Sequence, residues 1–367
     1  MSMNDESSRF VWMYAGAYTH KSDAGITVFR LNEETGEAER VHTVQDIANA
    51  SYLAASARHP RLYAVSEVQE TNGQLGGEIV SYETDPATGS LKELDRQLTR
   101  GKDPCYVSLE ESRQPGLLLV TNYSSGNISA FALSGAGDLS EPAQQVIAHE
   151  GGSQATQRQL EAHTHSVVLH PAGTYAVVSD LGKDKLFVYR LDADRKQLIL
   201  HSETDTAKGA GPRHFVFHPG KPYAYGINEL DNTITAYAFD ESAGRLTVLG
   251  SVPTLPPEFK GENTSADLHL DPSGQFIYGS NRGHDSIVTY RIDAESGALT
   301  YVEHTSTHGK TPRNFAIAPG GKLLLAANQQ TDTIEVFHRD PDSGKLTHDP
   351  GRSISVSEPV CILFASM

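Results

Sequence analysis

Two histidines separated by one residue, His163 and His165, are the first side chains in this sequence whose type and spacing suggest chemistry. They stand at the start of an extended run, where alternate residues point to the same side of a strand. A neutral imidazole can accept a proton near neutral pH, and two histidines can also supply ligands to zinc or iron. A metal site would need a third ligand, which the spacing does not place. A metal-free general base, a metal pair and a structural role in a loop therefore remain open.

Arginines and a glutamate form a second group of candidates. Arg213 follows Pro212, Arg282 lies in the segment SNRGHDS, and Glu229 follows an asparagine. A guanidinium stays charged and can bind a carboxylate, a phosphate or a developing oxyanion. Glu229 could orient a histidine or a water molecule. The alternative is structural, because salt bridges from these arginines to nearby carboxylates would only connect neighbouring parts of the fold.

An internal repeat supplies the elements that must position these residues. Seven times an apolar run opens at or near a proline, passes through a turn and a second apolar run, and closes on a Gly-rich turn followed by a small apolar residue. These small apolar markers are Ala38, Leu91, Leu139, Leu198, Leu246, Leu299 and Leu346. Periods near 50 residues made of short strands are typical of propellers. The sequence therefore predicts an all-β fold, a seven-bladed β-propeller with four-stranded antiparallel blades.

The two ends of the chain are predicted to complete one blade together. The C-terminal run EPVCILFA offers an innermost strand with nothing after it, whereas the N-terminal runs offer the three outer strands. Pairing them closes the last blade and removes the open edge. We expect a disordered tail over residues 1–9 and a single propeller domain over residues 10–367.

The predicted topology brings the candidates to one face. In each blade the innermost strand runs away from the face of the ring at which it starts, and the second strand runs back to that face. The starts of the innermost strands and the turns after the second strands therefore surround one mouth of the central channel. Two connections to this mouth are longer than the others, by roughly 12 and 7 residues, and deliver the histidine pair and Asp267. Long loops in a tight repeat are often functional. Further candidates for substrate binding at this mouth are Asn122, Asp180, His214, Asp267 and Arg313.

Composition narrows the class of partner. The net charge of −16 disfavours nucleic acid and anionic membrane surfaces. Residues 1–9 lack the features of a signal peptide, and no run of 18 apolar residues occurs, so we expect a cytoplasmic protein. Cys105 and Cys361 fall in different blades and are interpreted as small buried side chains. A closed ring needs no partner for folding, which favours a monomer.

Several segments resemble the signature segments of the lactonase seven-bladed β-propeller family. They read HTHSVVLHPAG, GPRHFVFHPG, YGINELDNTITAY, YGSNRGHDSIVTY and PRNFAIAPGGKLLLAANQ. The family includes the bacterial propeller-type 6-phosphogluconolactonases and is related to fungal 3-carboxy-cis,cis-muconate lactonising enzymes. The resemblance implies a site without metal or cofactor on one face of the ring. It also implies that His163 or His165 acts there together with Arg213, Glu229 and Arg282.

The expected reaction is hydrolysis of the ring ester of 6-phospho-D-glucono-1,5-lactone, a step of the pentose phosphate pathway. A histidine steadied by Glu229 would take a proton from water. Arg213 or Arg282 would stabilise the oxyanion, while the other, with Arg313, would hold the phosphate of this anionic sugar lactone.

Three alternatives remain open at this point. A muconate cycloisomerase would use the same four groups on a dicarboxylate. A metal-dependent lactonase would gather Glu67, Asp180 and Glu229 around an ion. A non-catalytic propeller would bind a peptide at a mouth that tolerates mutation.

Overall fold

The computed structural model describes residues 10–112, 116–139, 142–192 and 197–366. These ranges contain short strands and two single-turn 3-10 helices, Gln157–Gln159 and Gln329–Thr331. The tail predicted for residues 1–9 lies outside the described residues. Within those ranges no helix is long and apolar enough to cross a membrane.

Seven four-stranded antiparallel sheets form the blades. Blade 1 contains β1 (Phe10–Ala17), β2 (Ile26–Asn32), β3 (Ala38–Val44) and the C-terminal strand β31 (Pro359–Ser366). Blade 2 contains β4 (Leu53–Ala55), β5 (Arg61–Ser66), β8 (Glu78–Thr84) and β9 (Leu91–Leu98), with a small hairpin of β6 (Glu70–Thr71) and β7 (Gln74–Leu75) between β5 and β8. Blade 3 contains β10 (Pro104–Glu110), β11 (Leu117–Asn122), β12 (Asn127–Ala132) and β13 (Gln145–Ala148).

The remaining blades follow the same order along the chain. Blade 4 contains β14 (Thr164–Leu169), β15 (Tyr175–Asp180), β16 (Lys185–Asp192) and β17 (Gln197–Asp205). Blade 5 contains β18 (Pro212–Phe217), β19 (Tyr223–Asn228), β20 (Thr233–Asp240) and β21 (Arg245–Pro253). Blade 6 contains β22 (Thr264–Leu270), β23 (Phe276–Arg282), β24 (Ser286–Ile292) and β25 (Leu299–Ser306). Blade 7 contains β26 (Pro312–Ile317), β27 (Leu323–Asn328), β28 (Thr333–Arg339) and an outer edge split into β29 (Leu346–His348) and β30 (Ile354–Ser355).

The terminal strands close the ring as predicted. Strand β31 pairs antiparallel with β1, in a register that runs from Trp12 opposite Ala365 to Gly16 opposite Cys361. Strand β31 also contacts the innermost strands of both neighbouring blades, β26 and β4. The predicted propeller with a last blade built from both ends of the chain is therefore confirmed.

The apolar core is divided into seven clusters, one between each pair of neighbouring blades. Between blades 4 and 5, for example, Val177 and Val188 face Phe215 and Tyr237. Each small apolar marker of the repeat lies in or against one of these clusters; Leu246 belongs to the one just named. Burial of apolar area between blades explains why that position repeats in the sequence.

A β-bulge interrupts six of the seven described innermost strands at the end where the strand starts. In β18, Pro212 pairs with Asn228 and His214 with Ile227, so Arg213 is left without a ladder partner. The corresponding extra residues in four of the other strands are Cys105, His165, Arg313 and Val360. In β22 the register passes from Ser265 to Leu268, so Ala266 and Asp267 are both left without a ladder partner. Bulges of this kind redirect a side chain out of the regular alternation. The sequence analysis chose four of these bulge residues for the site: His165, Arg213, Asp267 and Arg313.

Candidate active site

The turns after the second strands provide a further set of side chains at the same mouth. Their backbone N–H groups are anchored on the neighbouring strand start: Glu229 N donates to the carbonyl of Gly211 at 2.8 Å, and Tyr123 N to that of Asp103 at 2.9 Å. The seven turn positions are Tyr18, Glu67, Tyr123, Leu181, Glu229, Arg282 and Gln329. We use "mouth" for these seven residues, the bulge residues of the innermost strands, and the loop residue Arg158, which contacts Glu229.

Glu229 is the centre of a cluster of guanidinium groups. Its Oε2 lies 3.1 Å from Nε of Arg213 and 3.0 Å from an Nη of Arg282. Its Oε1 lies 2.9 Å from an Nη of Arg158. The Arg213 side chain is buried and that of Arg282 is only 12% exposed, whereas the Arg158 side chain is 48% exposed. We term these four residues the Glu229 half of the mouth.

The charges of this cluster do not cancel. Burial favours a neutral Glu229, but the guanidiniums of Arg282, Arg213 and Arg158 outweigh it and lower the pKa of this carboxyl to about 2. Burial lowers the pKa of Arg282 to about 10, and Glu229 only partly offsets it. All three arginines are therefore still charged near neutral pH. Three positive groups around one carboxylate leave the Glu229 half with a net charge of about +2.

The histidine pair meets at the ring of Tyr123. His163 stacks on that ring with centroids 4.5 Å apart, while His165 meets its edge at 5.5 Å. Nδ1 of His163 donates to the backbone carbonyl of Tyr123 at 3.0 Å, because a carbonyl can only accept. The backbone N–H of His163 donates to Asp180 at 2.8 Å. The loop histidine is thus held at both its backbone and its ring, with Nε2 left as its acceptor.

His165 is the more deeply placed of the two histidines. Its exposed fraction is 4%, and its Nδ1 has a weak contact with the thiol of Cys105 at 3.9 Å. Burial, together with the charge of Arg213, holds the pKa of His165 well below its usual value. The imidazole is therefore in its neutral, proton-accepting form at neutral pH. Burial likewise raises the pKa of the Cys105 thiol to about 12.

A buried network inside the channel supports Arg213. The Nη1 of Arg213 donates to Nε2 of His214 at 3.1 Å, and Nδ1 of His214 donates to Asp267 at 2.6 Å. This order of donors requires a neutral His214, and burial lowers its pKa to about 4. Asp267 also accepts hydrogen bonds from His269 and Asn314. His214 and Asp267 thus contact protein groups on three innermost strands.

Glu67 forms a second, different group at the mouth. Its Oε1 accepts a hydrogen bond from the Tyr18 hydroxyl at 3.0 Å and lies 3.9 Å from an Nη of Arg313. Its Oε2 is buried and has no hydrogen-bond partner among the described residues. The guanidinium of Arg313 also lies over the Tyr18 ring, 5.3 Å from its centroid. We term these three residues the Glu67 half, whose formal charges sum to zero.

Two predicted substrate-binding residues do not reach the mouth. Asn122 and Asp180 are fully buried at the last position of their strands, one residue before the turn position. Asn122 donates to Asn127 within its own blade, and Asp180 binds Nδ1 of His149 at 2.6 Å besides the backbone of His163. Both side chains therefore support the loops around the site from within the blades.

Sequence reasoning missed Arg158 and Tyr123. Arg158 lies in the long connection between blades 3 and 4, within the 3-10 helix Gln157–Gln159. That helix is anchored by the fully buried Gln159, whose amide donates to the carbonyl of Leu181 at 2.9 Å. The available signals were the length of the connection and the phase of the repeat, which puts Tyr123 and not Asn122 at the turn position.

The carboxylates named for a metal-dependent reaction do not converge. Glu229 forms ion pairs with arginines, Asp180 is hydrogen-bonded to His149, and Glu67 is hydrogen-bonded to Tyr18. In the part of the chain that the structure describes, no three His, Cys, Asp or Glu side chains are grouped to hold a metal ion.

Comparison with known proteins agrees with this architecture. The family described as "Lactonase, 7-bladed beta-propeller" matches residues 12–364. A 6-phosphogluconolactonase of Bacillus subtilis is 34% identical over 303 residues, which cover 82% of this chain and 83% of that protein. A 6-phosphogluconolactonase of Formosa agariphila is 36% identical over 311 residues, covering 83% and 86%. The structure of the periplasmic gluconolactonase of Pseudomonas aeruginosa superimposes with a TM-score of 0.90 at 33% identity, covering 98% of this chain and 100% of that one. This chain belongs to the lactonase family of seven-bladed β-propellers.

Proposed function

We propose that this protein hydrolyses the ring ester of 6-phospho-D-glucono-1,5-lactone to 6-phosphogluconate. One observation carries the proposal: the neutral, buried His165 lies beside the Glu229 half, whose net charge is about +2, at one mouth of the channel. A base in its acceptor form and fixed cations for a developing oxyanion are the two requirements of ester hydrolysis by water. The names of the relatives from Bacillus subtilis and Formosa agariphila support the same reaction class.

The reaction is assigned to His165 and two arginines. His165 takes a proton from a water molecule while the water oxygen attacks the lactone carbonyl carbon. The charge that develops on the carbonyl oxygen is stabilised by Arg213 and Arg282, both already oriented by Glu229. When the intermediate collapses, the bond to the ring oxygen breaks and the proton on His165 passes to that oxygen, giving a hydroxyl and a carboxylic acid. The acid then releases its own proton to solvent and becomes the carboxylate.

The other side chains act by positioning. Glu229 orients the arginines and not a histidine, because both of its oxygens are already bound by guanidiniums. His214 and Asp267 act through Arg213, to which His214 is hydrogen-bonded. Nε2 of His163 is left to accept a hydrogen bond from a substrate hydroxyl. Arg313 is assigned to the polar groups of the sugar on the Glu67 half.

A phosphorylated substrate favours the cytoplasm and the pentose phosphate pathway, because a phosphate ester does not cross membranes freely. The relative from Pseudomonas aeruginosa is named a periplasmic gluconolactonase, so an unphosphorylated lactone is the second candidate substrate. The two candidates share the same ester chemistry and differ only in the anionic group.

A direct assay tests the proposal. The purified protein is given both lactones and 3-carboxymuconate. Opening of the lactones is followed by acid release, with the spontaneous rate subtracted, and conversion of 3-carboxymuconate is followed by loss of its diene absorbance. We expect hydrolysis of the phosphorylated lactone, and a loss of about 100-fold to 1000-fold in kcat for Arg282→Ala. Arg245→Ala, on the exposed outer strand of blade 5, is the matched control. No lactone opening by the wild type overturns the proposal, whereas normal turnover by Arg282→Ala removes that residue from the chemistry.

A further inference from the structure

We propose that Arg158 is the residue that recognises the phosphate group and gives the site its preference for a phosphorylated lactone. This inference rests on the proposed function. Arg158 reaches the mouth from the connection between blades 3 and 4, where the distance from the marker Leu139 to the next innermost strand is the longest in the repeat.

The guanidinium of Arg158 is already oriented. One Nη lies 2.9 Å from Oε1 of Glu229, and Nη2 donates to the hydroxyl of Tyr123 at 2.8 Å. These contacts use two of the five N–H donors of a guanidinium, so donors remain for a ligand. Orientation before binding reduces the loss of side-chain entropy when the ligand binds. The anchoring of Gln159 in the blade fixes the backbone at the neighbouring residue.

The distribution of charge and exposure distinguishes Arg158 from the other arginines. A phosphate monoester carries a charge of about −1.5 to −2 at neutral pH, which balances the net charge of the Glu229 half. Within that half Arg213 and Arg282 are 3% and 12% exposed, whereas Arg158 is 48% exposed. A phosphate dianion is strongly hydrated, and it loses less of its hydration on binding to the exposed Arg158 than on binding to either of the other two arginines. Arg313 is a weaker candidate because Glu67 faces it.

The position of Arg158 also fits the shape of the substrate. The ester carbon must lie near His165 and Arg213, which are buried at the start of the channel, and near the largely covered Arg282. The phosphate stands at the far end of the sugar, away from that carbon. Oε2 of Glu229 faces the two buried arginines while Oε1 faces Arg158, so the carboxylate connects an inner cationic group and an outer one.

The test compares Arg158→Gln with the wild type on 6-phospho-D-glucono-1,5-lactone and on D-glucono-1,5-lactone. We expect kcat/KM for the phosphorylated lactone to fall about 30-fold to 100-fold, mainly through KM. The preference ratio between the two lactones should fall at least about tenfold. Calorimetric titration with 6-phosphogluconate and gluconate provides a readout without turnover, and only the affinity for 6-phosphogluconate should weaken strongly.

The controls separate this inference from the proposed function. Arg245→Gln should leave both rates and both affinities unchanged, and thermal unfolding reports whether each variant is folded. A wild type that opens neither lactone refutes the proposed function itself. If the wild type is active but kcat/KM of Arg158→Gln falls equally for both lactones, Arg158 acts only by orienting Glu229 and the inference fails. An unchanged preference ratio with full activity also overturns it.

Discussion

The two halves of the mouth contain the same chemical groups in different proportions. In the Glu229 half one carboxylate faces three guanidiniums, and the carboxyl pKa falls to about 2. In the Glu67 half one carboxylate faces a single guanidinium at 3.9 Å and a tyrosine hydroxyl, and one carboxylate oxygen is unpartnered among the described residues. An excess of fixed cations suits a group that becomes negative, whereas a neutral pair with a spare acceptor suits sugar hydroxyls.

The difference shows how one repeated position acquires two roles. Glu67 and Glu229 occupy the same turn position in blades 2 and 5. What differs is the residue that faces each of them from neighbouring strands and from the long connection that carries Arg158. The chemical character of a mouth residue is therefore set by its neighbours in other blades.

The largest effect is expected at His165, beside the arginines of the Glu229 half. His165→Gln should lower kcat by about 100-fold to 10,000-fold, the usual range for loss of a general base. His163→Gln, whose ring instead contacts the Tyr123 carbonyl, should lower kcat about tenfold. Steady-state kinetics on the phosphorylated lactone measures both. A larger loss at His163 would transfer the proton-accepting role to that residue.

Matched glutamine variants test the two carboxylates directly. Glu229→Gln leaves three buried or half-buried guanidiniums without their counter-ion, so we expect destabilisation by about 3–5 kcal/mol and a loss of about 100-fold in kcat/KM. Glu67→Gln removes one hydrogen-bond acceptor and should cost about 1 kcal/mol. Denaturant unfolding and the lactone assay provide the measurements. Equal effects of the two variants would contradict the assigned difference between the halves.

Acid should weaken the Glu229 half of the mouth. The folded pKa of Glu229 is about 2, below its ordinary value of 4.5, so its stabilising contribution is complete above pH 4.5 and is lost as the pH falls toward 2. One extra proton bound on unfolding corresponds to a slope of about 1.4 kcal/mol per pH unit. Unfolding free energies measured from pH 5 to pH 2 should show a slope in Glu229→Gln that is smaller by this amount. Arg245→Gln, which removes no carboxylate, should keep the wild-type slope, and the same flattening in that variant would refute the assignment.

The smallest effect is expected at Tyr18. Tyr18→Phe removes the hydroxyl that donates to Glu67 and should cost about 1 kcal/mol of stability and less than about threefold in kcat/KM. Tyr301→Phe, on an exposed outer strand, serves as the control for loss of a phenol hydroxyl. Thermal unfolding and the lactone assay report both. A loss of 100-fold in Tyr18→Phe would place the chemistry in the Glu67 half.

The fold was predictable because the same apolar packing between neighbouring blades recurs around the ring and leaves a repeat in the sequence. The small apolar marker recurs since every pair of neighbouring blades needs a filled core, and Leu246 between blades 4 and 5 is one instance. The C-terminal run could be paired with the N-terminal strands because the C-terminal run is an innermost strand without outer strands, and the N-terminal runs are outer strands without an innermost one. The common face of Arg213, Glu229 and Arg282 followed from the alternation of strand direction, and the structure brings these three into contact.

The details of the site depended on one-residue differences and on contacts between blades. Asn122 and Asp180 stand one position before the turn, and a shift of one residue in a strand turns the side chain to the other side. The partner of Glu229 was expected to be a histidine, but the bulge at Arg213 directs a guanidinium to it instead. Arg158 lies in the extra segment of the connection between blades 3 and 4, which is not part of the repeated unit, so no periodic signal marks it.

The six bulges at the strand starts have a consequence for how this protein could change. Because a bulge residue has no partner in the strand ladder, replacing its side chain does not disturb strand pairing. The six bulges already hold a thiol, an imidazole, two guanidiniums, an isopropyl group and, in β22, a methyl group beside a carboxylate. Relatives with the same fold can therefore acquire a different substrate by exchanging residues at these positions, while the seven blades and their apolar contacts stay as they are.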